Sequence, residues 1–335
     1  MRQPRLKSAE FRREREQSWR ELEDLVERID KGGLKALGPE ELLRLPGLYR
    51  ATLSSLSVAR SVSLDRGLLA YLEDLCTRAY FHVYGSRAKP LERVGRFLRV
   101  DFPQAVRDLR LALVVSLLSL LIGGLASFTV TLDNMDWYYT FVSDGVSSGR
   151  TPTTDAAELR DGLYRSADSA AEWLNAFAAY LFGHNAGIGM LAFALGFLFG
   201  VPTLLLLFSN GLSLGAFAAL YHSHGLSADL WGWLLIHGTT ELLAIALAGA
   251  AGIRIGASLA FPGPHSRLVA LQQAGKSAAV VAVGCVLMFM VAALLEGFAR
   301  QLINDILARY VIAGGMLALW CAYFCLSGRR GNGAR

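Results

Sequence analysis

Residues 228–255 read ADLWGWLLIHGTTELLAIALAGAAGIRI. From Leu230 to Ile253 the run is long enough to cross a bilayer as one helix, which takes about 20 apolar residues, yet its interior carries His237 and Glu241. An ionisable side chain at bilayer depth costs roughly 2.5–3.5 kcal/mol on insertion scales, so it needs a partner or a task. Residues four apart share one helix face, and at 1.5 Å per residue the two lie about 6 Å apart along the axis. The segment predicts a membrane helix with a polar site on one side.

The chain of 335 residues is 53% hydrophobic and 18% charged, against about a quarter charged in soluble domains. An all-α, polytopic membrane helix bundle is expected. Apolar runs predict spans at 111–132, 186–208, 212–225, 230–253, 277–299 and 306–326, the third short or re-entrant. The first begins only after a polar, Arg-rich stretch, so no cleavable secretory signal is expected.

Charge predicts the orientation. Residues 1–110 hold 22 of the 33 Lys and Arg, the loop 133–185 has eight acidic residues against three Arg, and the loop 254–276 has three basic residues and no acid. The positive-inside rule then puts both termini and the 254–276 loop in the cytoplasm and the acidic loop outside. The expectation is a multi-pass protein of the cytoplasmic membrane. Its parts are a cytoplasmic helical bundle (1–90), an amphipathic interfacial helix (91–110), a transmembrane domain (111–326) with the external loop 133–185, and a cytoplasmic tail (327–335).

Within the first part, Phe11, Arg15, Trp19, Leu22, Val26 and Ile29 recur at helical spacing. Gly38-Pro39-Glu40-Glu41 reads as a turn opening a helix, and amphipathic stretches run over 47–62 and 64–84. Charges alternate in sign on the polar faces, so membrane lipid, not nucleic acid, is the expected partner. In 91–110, Leu91, Val94, Phe97, Leu98, Phe102, Val106 and Leu109 interleave with Arg, predicting a helix along the inner interface with a bend at Pro103. The outer loop predicts an amphipathic helix over 156–181.

Glycines stand four apart at 183/187, 196/200, 211/215 and 252/256. Such ridges let helix backbones approach closely, predicting a tight bundle and a homodimer through the ridges. Asn185 and Asn210 stand at predicted span starts, where each is expected to cap its helix. His184-Asn185…Ala192-Phe193-Ala194 is similar to Ser209-Asn210…Ala216-Phe217-Ala218. This topology puts the two at opposite faces, the pattern of an inverted repeat with a midplane site.

Three readings of His237 and Glu241 compete: a structural hydrogen bond to Asn210, a hydroxyl or a backbone carbonyl; a role in moving or sensing an ion, proton or lipid headgroup; and metal ligation, with His184, His222 and His224 as further donors. The order His237-Gly238-Thr239-Thr240-Glu241 lacks the second His of a metallopeptidase helix. Glu296, near the outer end of the fifth span, has Arg300 one turn on, and an interfacial ion pair is expected there. Gly275-Lys276-Ser277 lacks the upstream Gly of a P-loop, that position being Ala270. No nucleophile elbow or dinucleotide fingerprint appears, so no catalytic residue and no cofactor is expected.

His184-Asn185, Phe208-Ser209-Asn210-Gly211 with Gly215, His237-Gly238-x-x-Glu241 with Gly249, Gly252 and Gly256, Glu296-Gly297-Phe298, and Phe102-Pro103-x-x-Val106-Arg107 together resemble the stage II sporulation protein M family of bacterial membrane proteins, over about residues 90–326. The helical N-terminal third is similar to that of longer members outside sporulation. The resemblance implies partners of three kinds: a MoxR-type ATPase, a von Willebrand A-domain protein and an RDD membrane protein. It carries over no catalytic activity and leaves Asn185, Asn210, His237, Glu241 and Glu296 as functional candidates. The expected role is a non-enzymatic component of an envelope-associated assembly. The alternatives are a transporter or channel-like protein with a midplane His/Glu site, and an intramembrane metal-dependent hydrolase.

Overall fold

The spacing of Trp19, Leu22, Val26 and Ile29 closes one face of α1 (Lys7–Gly32) against α2 (Pro39–Ser61) and α3 (Arg66–Val83), where Leu45, Tyr49, Leu72 and Leu75 complete a core of their own. The computed structural model describes residues 7–61, 66–84, 90–164, 182–299 and 303–328. They fall into two units, 1–92 and 93–335. In the first, α2 opens at Pro39 as the Gly-Pro-Glu-Glu turn predicts, with the Gly38 N–H donating to the Glu41 carboxylate at 2.8 Å and Arg28 pairing with it at 2.7 Å. The helix opened by that turn and the amphipathic stretch expected over 47–62 form one element, which runs through Pro46 with the core residues Leu45 and Tyr49 on either side.

α4 (Pro90–Arg96), which spans the boundary between the units at 92/93, runs through a wide π turn, Phe97–Asp101, into α5 (Phe102–Asp108) of the second unit. The expected interfacial helix 91–110 therefore divides. Leu91 and Val94 are exposed, as a lipid-facing stripe requires, but Phe102, Val106 and Leu109 are buried in the unit's core. Phe102 packs edge-on against Phe324, and Arg107 donates to the carbonyls of Phe324 and Ser327 at 2.8 and 2.7 Å. Those carbonyls are orphans of a helix end, so the Arg acts as a cap. Pro103 stands just beyond that π turn, in the first turn of α5, where no N–H is needed.

There follow α6 (Arg110–Asp133), α7 (Ala156–Tyr164), α8 (Phe182–Ala194, continued as a tight turn to Phe197), α9 (Val201–Ser223), α10 (Ser227–Ala260), α11 (Arg267–Leu294, continued as a π turn to Ala299) and α12 (Ile306–Leu326). Among the described residues there is no strand, and five helices are long and apolar enough to cross a membrane, with a shorter apolar one at Asn185–Phe197. The bundle is all-α, as expected, but its second and third spans are divided differently. The break falls at 198–200 and not at 209–211, so the short member is α8 and residues 201–223 form one unbroken helix. Phe199 and Gly200 both take positive φ (60° and 78°), and Pro202 sits in the first turn of α9. Gly before Pro is a stop and start signal that a continuous apolar run conceals.

Glycine contacts give the directions of the helices. Gly211 of α9 meets Leu120 and Gly124 of α6, and Gly215 meets Gly124 and Ser127, so numbers climb together and the helices are parallel. Gly196 lies against Gly252 and Gly200 against Gly256, so α8 runs parallel to α10. At Gly196, Gly211, Gly215, Gly252 and Gly256 a Cβ would collide with the neighbouring backbone. Among the described residues, the ridges 196/200, 211/215 and 252/256 face the chain's own helices, Gly187 has nothing within 4 Å, and the surroundings of Gly183 lie outside the described residues. Hydroxyls join the same seams: Ser116 donates to the Ala246 carbonyl, Ser119 to Leu204 and Thr203 to Ala192.

Residues 134–164 fold over the ends of α9 and α10. Tyr138, Val142, Leu159 and Leu163 pack with Phe217, Leu220, Tyr221 and Leu230. Tyr138 donates to the Arg150 carbonyl at 2.6 Å, and Tyr164 to Asp229 at 2.6 Å; burial pushes both phenols above their ordinary range. Of the amphipathic helix expected over 156–181, the part to Tyr164 is present and packs on protein; 165–181 lies outside the described residues.

Candidate functional site

α10 carries His237 and Glu241 one turn apart, both buried, at 3% and 7% exposure. The π turn at the end of α11 brings Glu296, at 4% exposure, onto the same face. π turns break the regular i+4 spacing and often accompany functional positions. The His237 Nε2 lies 4.0 Å from Glu296 Oε1, and one donor atom from each of the three residues lies within 4.8 Å of the others. α8 adds Asn185, whose side-chain nitrogen donates to Glu241 Oε1 at 2.6 Å. A carboxylate only accepts, which fixes the amide's orientation. The Trp233 ring stands edge-on to the His237 imidazole, centroids 5.8 Å apart, and Thr240 accepts from Trp320 of α12 at 2.9 Å.

Beside this cluster lies a cavity of about 380 Å³ between α8, α9 and α10. Asn185, Asn210 and Glu241 give it polar points; Ile188, Leu206, Leu214 and Ile245 give it apolar walls; Arg150 and Trp233 stand at its rim. The Arg150 guanidinium lies over the rings of Phe217 and Trp233, at 4.8 and 5.8 Å, and its Nε donates to the Ser147 carbonyl. The Asn210 amide nitrogen is buried on this wall with no hydrogen-bond partner among the described residues.

Neither Asn is a cap. Asn185 lies within the first turn of α8 and bonds Glu241; Asn210 lies in the middle of α9. The two do not stand at opposite faces, since the hairpin of α8 and α9 places both on one cavity wall. The hydrogen-bond partner of Glu241 is Asn185, a residue outside the expected set of Asn210, a hydroxyl or a backbone carbonyl. Glu296 is buried beside His237, while Arg300, its expected partner, lies outside the described residues. The side chain of His184 also lies outside them. His222 and His224 sit in the turn before α10, bonded to Ser227 and to the Leu220 carbonyl, and are not part of the cluster. Sequence reading missed Arg150 at the cavity rim and Arg309, which is fully buried, donates to the Ile303 carbonyl at 2.7 Å and covers the Tyr164 ring. Both are Arg inside otherwise apolar or acidic stretches, which was the available signal.

Two carboxylates so close together repel unless a cation or a shared proton lies between them, and the imidazole can accept either role beside them. One nitrogen and two carboxylate oxygens make a three-donor set able to hold a divalent ion, or the three groups can share a proton.

The sequence pattern of the family Stage II sporulation protein M matches residues 112–299, more than half of the chain and the whole of this cluster. A domain of unknown function, DUF8413, matches residues 9–85, the α1–α3 bundle. No curated protein and no solved structure matches.

Proposed function

This chain belongs to the stage II sporulation protein M family, and on that premise we propose that it is a non-enzymatic membrane component of an envelope-associated assembly. The bundle of residues 7–84 recruits soluble partners, and the membrane unit offers a polar site built on His237, Glu241 and Glu296. The observation that supports this is the division of the chain into a charged helical bundle with its own core and an apolar unit enclosing a buried His/Glu cluster. The charge bias supports an orientation with the bundle and both termini in the cytoplasm and the 134–164 cover outside. A MoxR-type ATPase, a von Willebrand A-domain protein and an RDD membrane protein are the proposed partners. Crosslinked native membranes should yield at least one of these with the tagged full-length chain, and removal of residues 1–89 should abolish the recovery. Intact protein recovered repeatedly without any of the three would sink the assembly reading.

A second reading, solute handling, is favoured by the cavity that reaches Glu241. With the exposed Cys321 and Cys325 replaced by Ser, a cysteine at Ser213 on the cavity wall should react with an impermeant maleimide added from outside. Glu241→Gln keeps an acceptor for Asn185, so a component that only assembles tolerates it, whereas a proton-coupled carrier loses its pH response.

A further inference from the structure

We propose that His237, Glu241 and Glu296 bind a divalent transition-metal ion of the zinc class. Ligand type comes first. An imidazole with two carboxylates suits zinc, manganese, iron or cobalt, while magnesium and calcium prefer oxygen alone. Charge agrees with this: a neutral imidazole and two carboxylates sum to a charge that a divalent ion cancels, leaving a neutral unit in an apolar surround.

Geometry supplies the third argument. Zinc–nitrogen and zinc–oxygen bonds of about 2.1 Å put two ligands on one tetrahedral ion about 3.4 Å apart. The observed 4.0 Å between His237 Nε2 and Glu296 Oε1, and the 4.8 Å limit on the whole set, need closure by about 0.6 to at most about 1.4 Å, within reach of carboxylate rotation. The Asn185 bond to Glu241 supplies the outer hydrogen bond that orients a ligating carboxylate. Three protein donors leave a fourth position open, and the cavity beside Glu241 is a path to it.

The inference rests on reading the cluster as a working site and not as packing. Full-length protein without a histidine tag is purified in detergent without chelator, incubated with zinc, gel-filtered and assayed by mass spectrometry. Wild type should hold about one ion per chain, and His237→Ala and Glu296→Gln each less than about a tenth of that. The His222→Ala/His224→Ala double variant should keep the ion, since those two lie outside the cluster. Cobalt loading gives a second readout: visible ligand-field absorption in wild type that Glu296→Gln removes. If either variant fails to fold, the wild type still decides, because a chelator should lower its Tm when the ion is bound only by the folded state. Wild type that binds no zinc and shows no chelator effect overturns the proposal, as does an ion lost with His222 and His224 but kept in Glu296→Gln. A metal-free protein whose Ser213→Cys variant is still labelled from outside loses the metal site and retains the cavity reading; a metal-bound protein without labelling does the reverse.

Discussion

In the bundle of residues 7–84, Arg60 with Glu73 and Arg78 with Asp30 keep at least 35% of each side chain in solvent. In the membrane unit His237, Glu241 and Glu296 are each under 8% exposed and face one another. Water screens the first kind of pair, so each is worth little and each is replaceable. Burial makes the second kind costly unless every member has a counterpart, so the same residue types there define a site. Glycine shows a similar contrast. Gly47 on α2 has nothing within 4 Å of an added Cβ, whereas Gly196, Gly200, Gly252 and Gly256 seat one helix backbone on another.

The contrast breaks most sharply at glycine. Gly256→Ala should remove more than about 3 kcal/mol, because its Cβ would meet the Gly200 backbone and not a side chain that can move. Recovery of monodisperse protein in detergent reads this out, and normal yield and Tm would refute the α8–α10 seam. Next is the polar cluster. Asn185→Leu strips Glu241 of its donor and should cost about 1–3 kcal/mol, whereas Arg60→Ala should cost under about 1 kcal/mol. Thermal unfolding of the full chain compares them, and equal losses would end the distinction between the units. Gly47→Ala, on the exposed side of α2, should stabilise the bundle by about 0.5–1 kcal/mol through helix propensity, measured as slower hydrogen exchange across α1–α3.

The smallest effect is on pH dependence. The Arg78 hydrogen bond, followed by that of His82, holds the Asp30 carboxyl below its ordinary 3.8 against the effect of burial. The Arg28 hydrogen bond and the Gly38 N–H hold Glu41 below 4.5. Both folded-state values are depressed, so this stabilisation is complete above the ordinary values and fades as pH falls through the depressed ones. The protection of α1–α3 amides, taken relative to the intrinsic exchange rate at each pH, should be flat from neutrality to about pH 5 and fall below that; a loss of protection beginning near neutrality would contradict it.

Much of this contrast was legible in the chain. Trp19, Leu22, Val26 and Ile29 announce the α1 face because helical periodicity is a local property. His237 and Glu241 announce a polar site because a bilayer leaves few reasons for them. Glu296 was legible as a candidate but not as a member of the cluster, since a π turn shifts side chains off the i+4 pattern. Asn185 and Asn210 read as caps because the break between α8 and α9 was hidden in an unbroken apolar run, although Gly200 and Pro202 marked it. Phe102, Val106 and Leu109 read as lipid-facing because an apolar stripe looks the same whether lipid or protein covers it.

The sequence by itself determined the all-α membrane class, the separate charged bundle, the charge asymmetry between its loops and the presence of a His/Glu pair on one helix. All of these follow from hydropathy, period and charge, quantities that a local window contains. Only the tertiary structure decided that Glu296 and Asn185 join that pair, that α8 is the short helix, and that the glycine ridges are spent on the chain's own seams. Each depends on which helices become neighbours, and neighbours far apart in sequence are selected by how backbones fit.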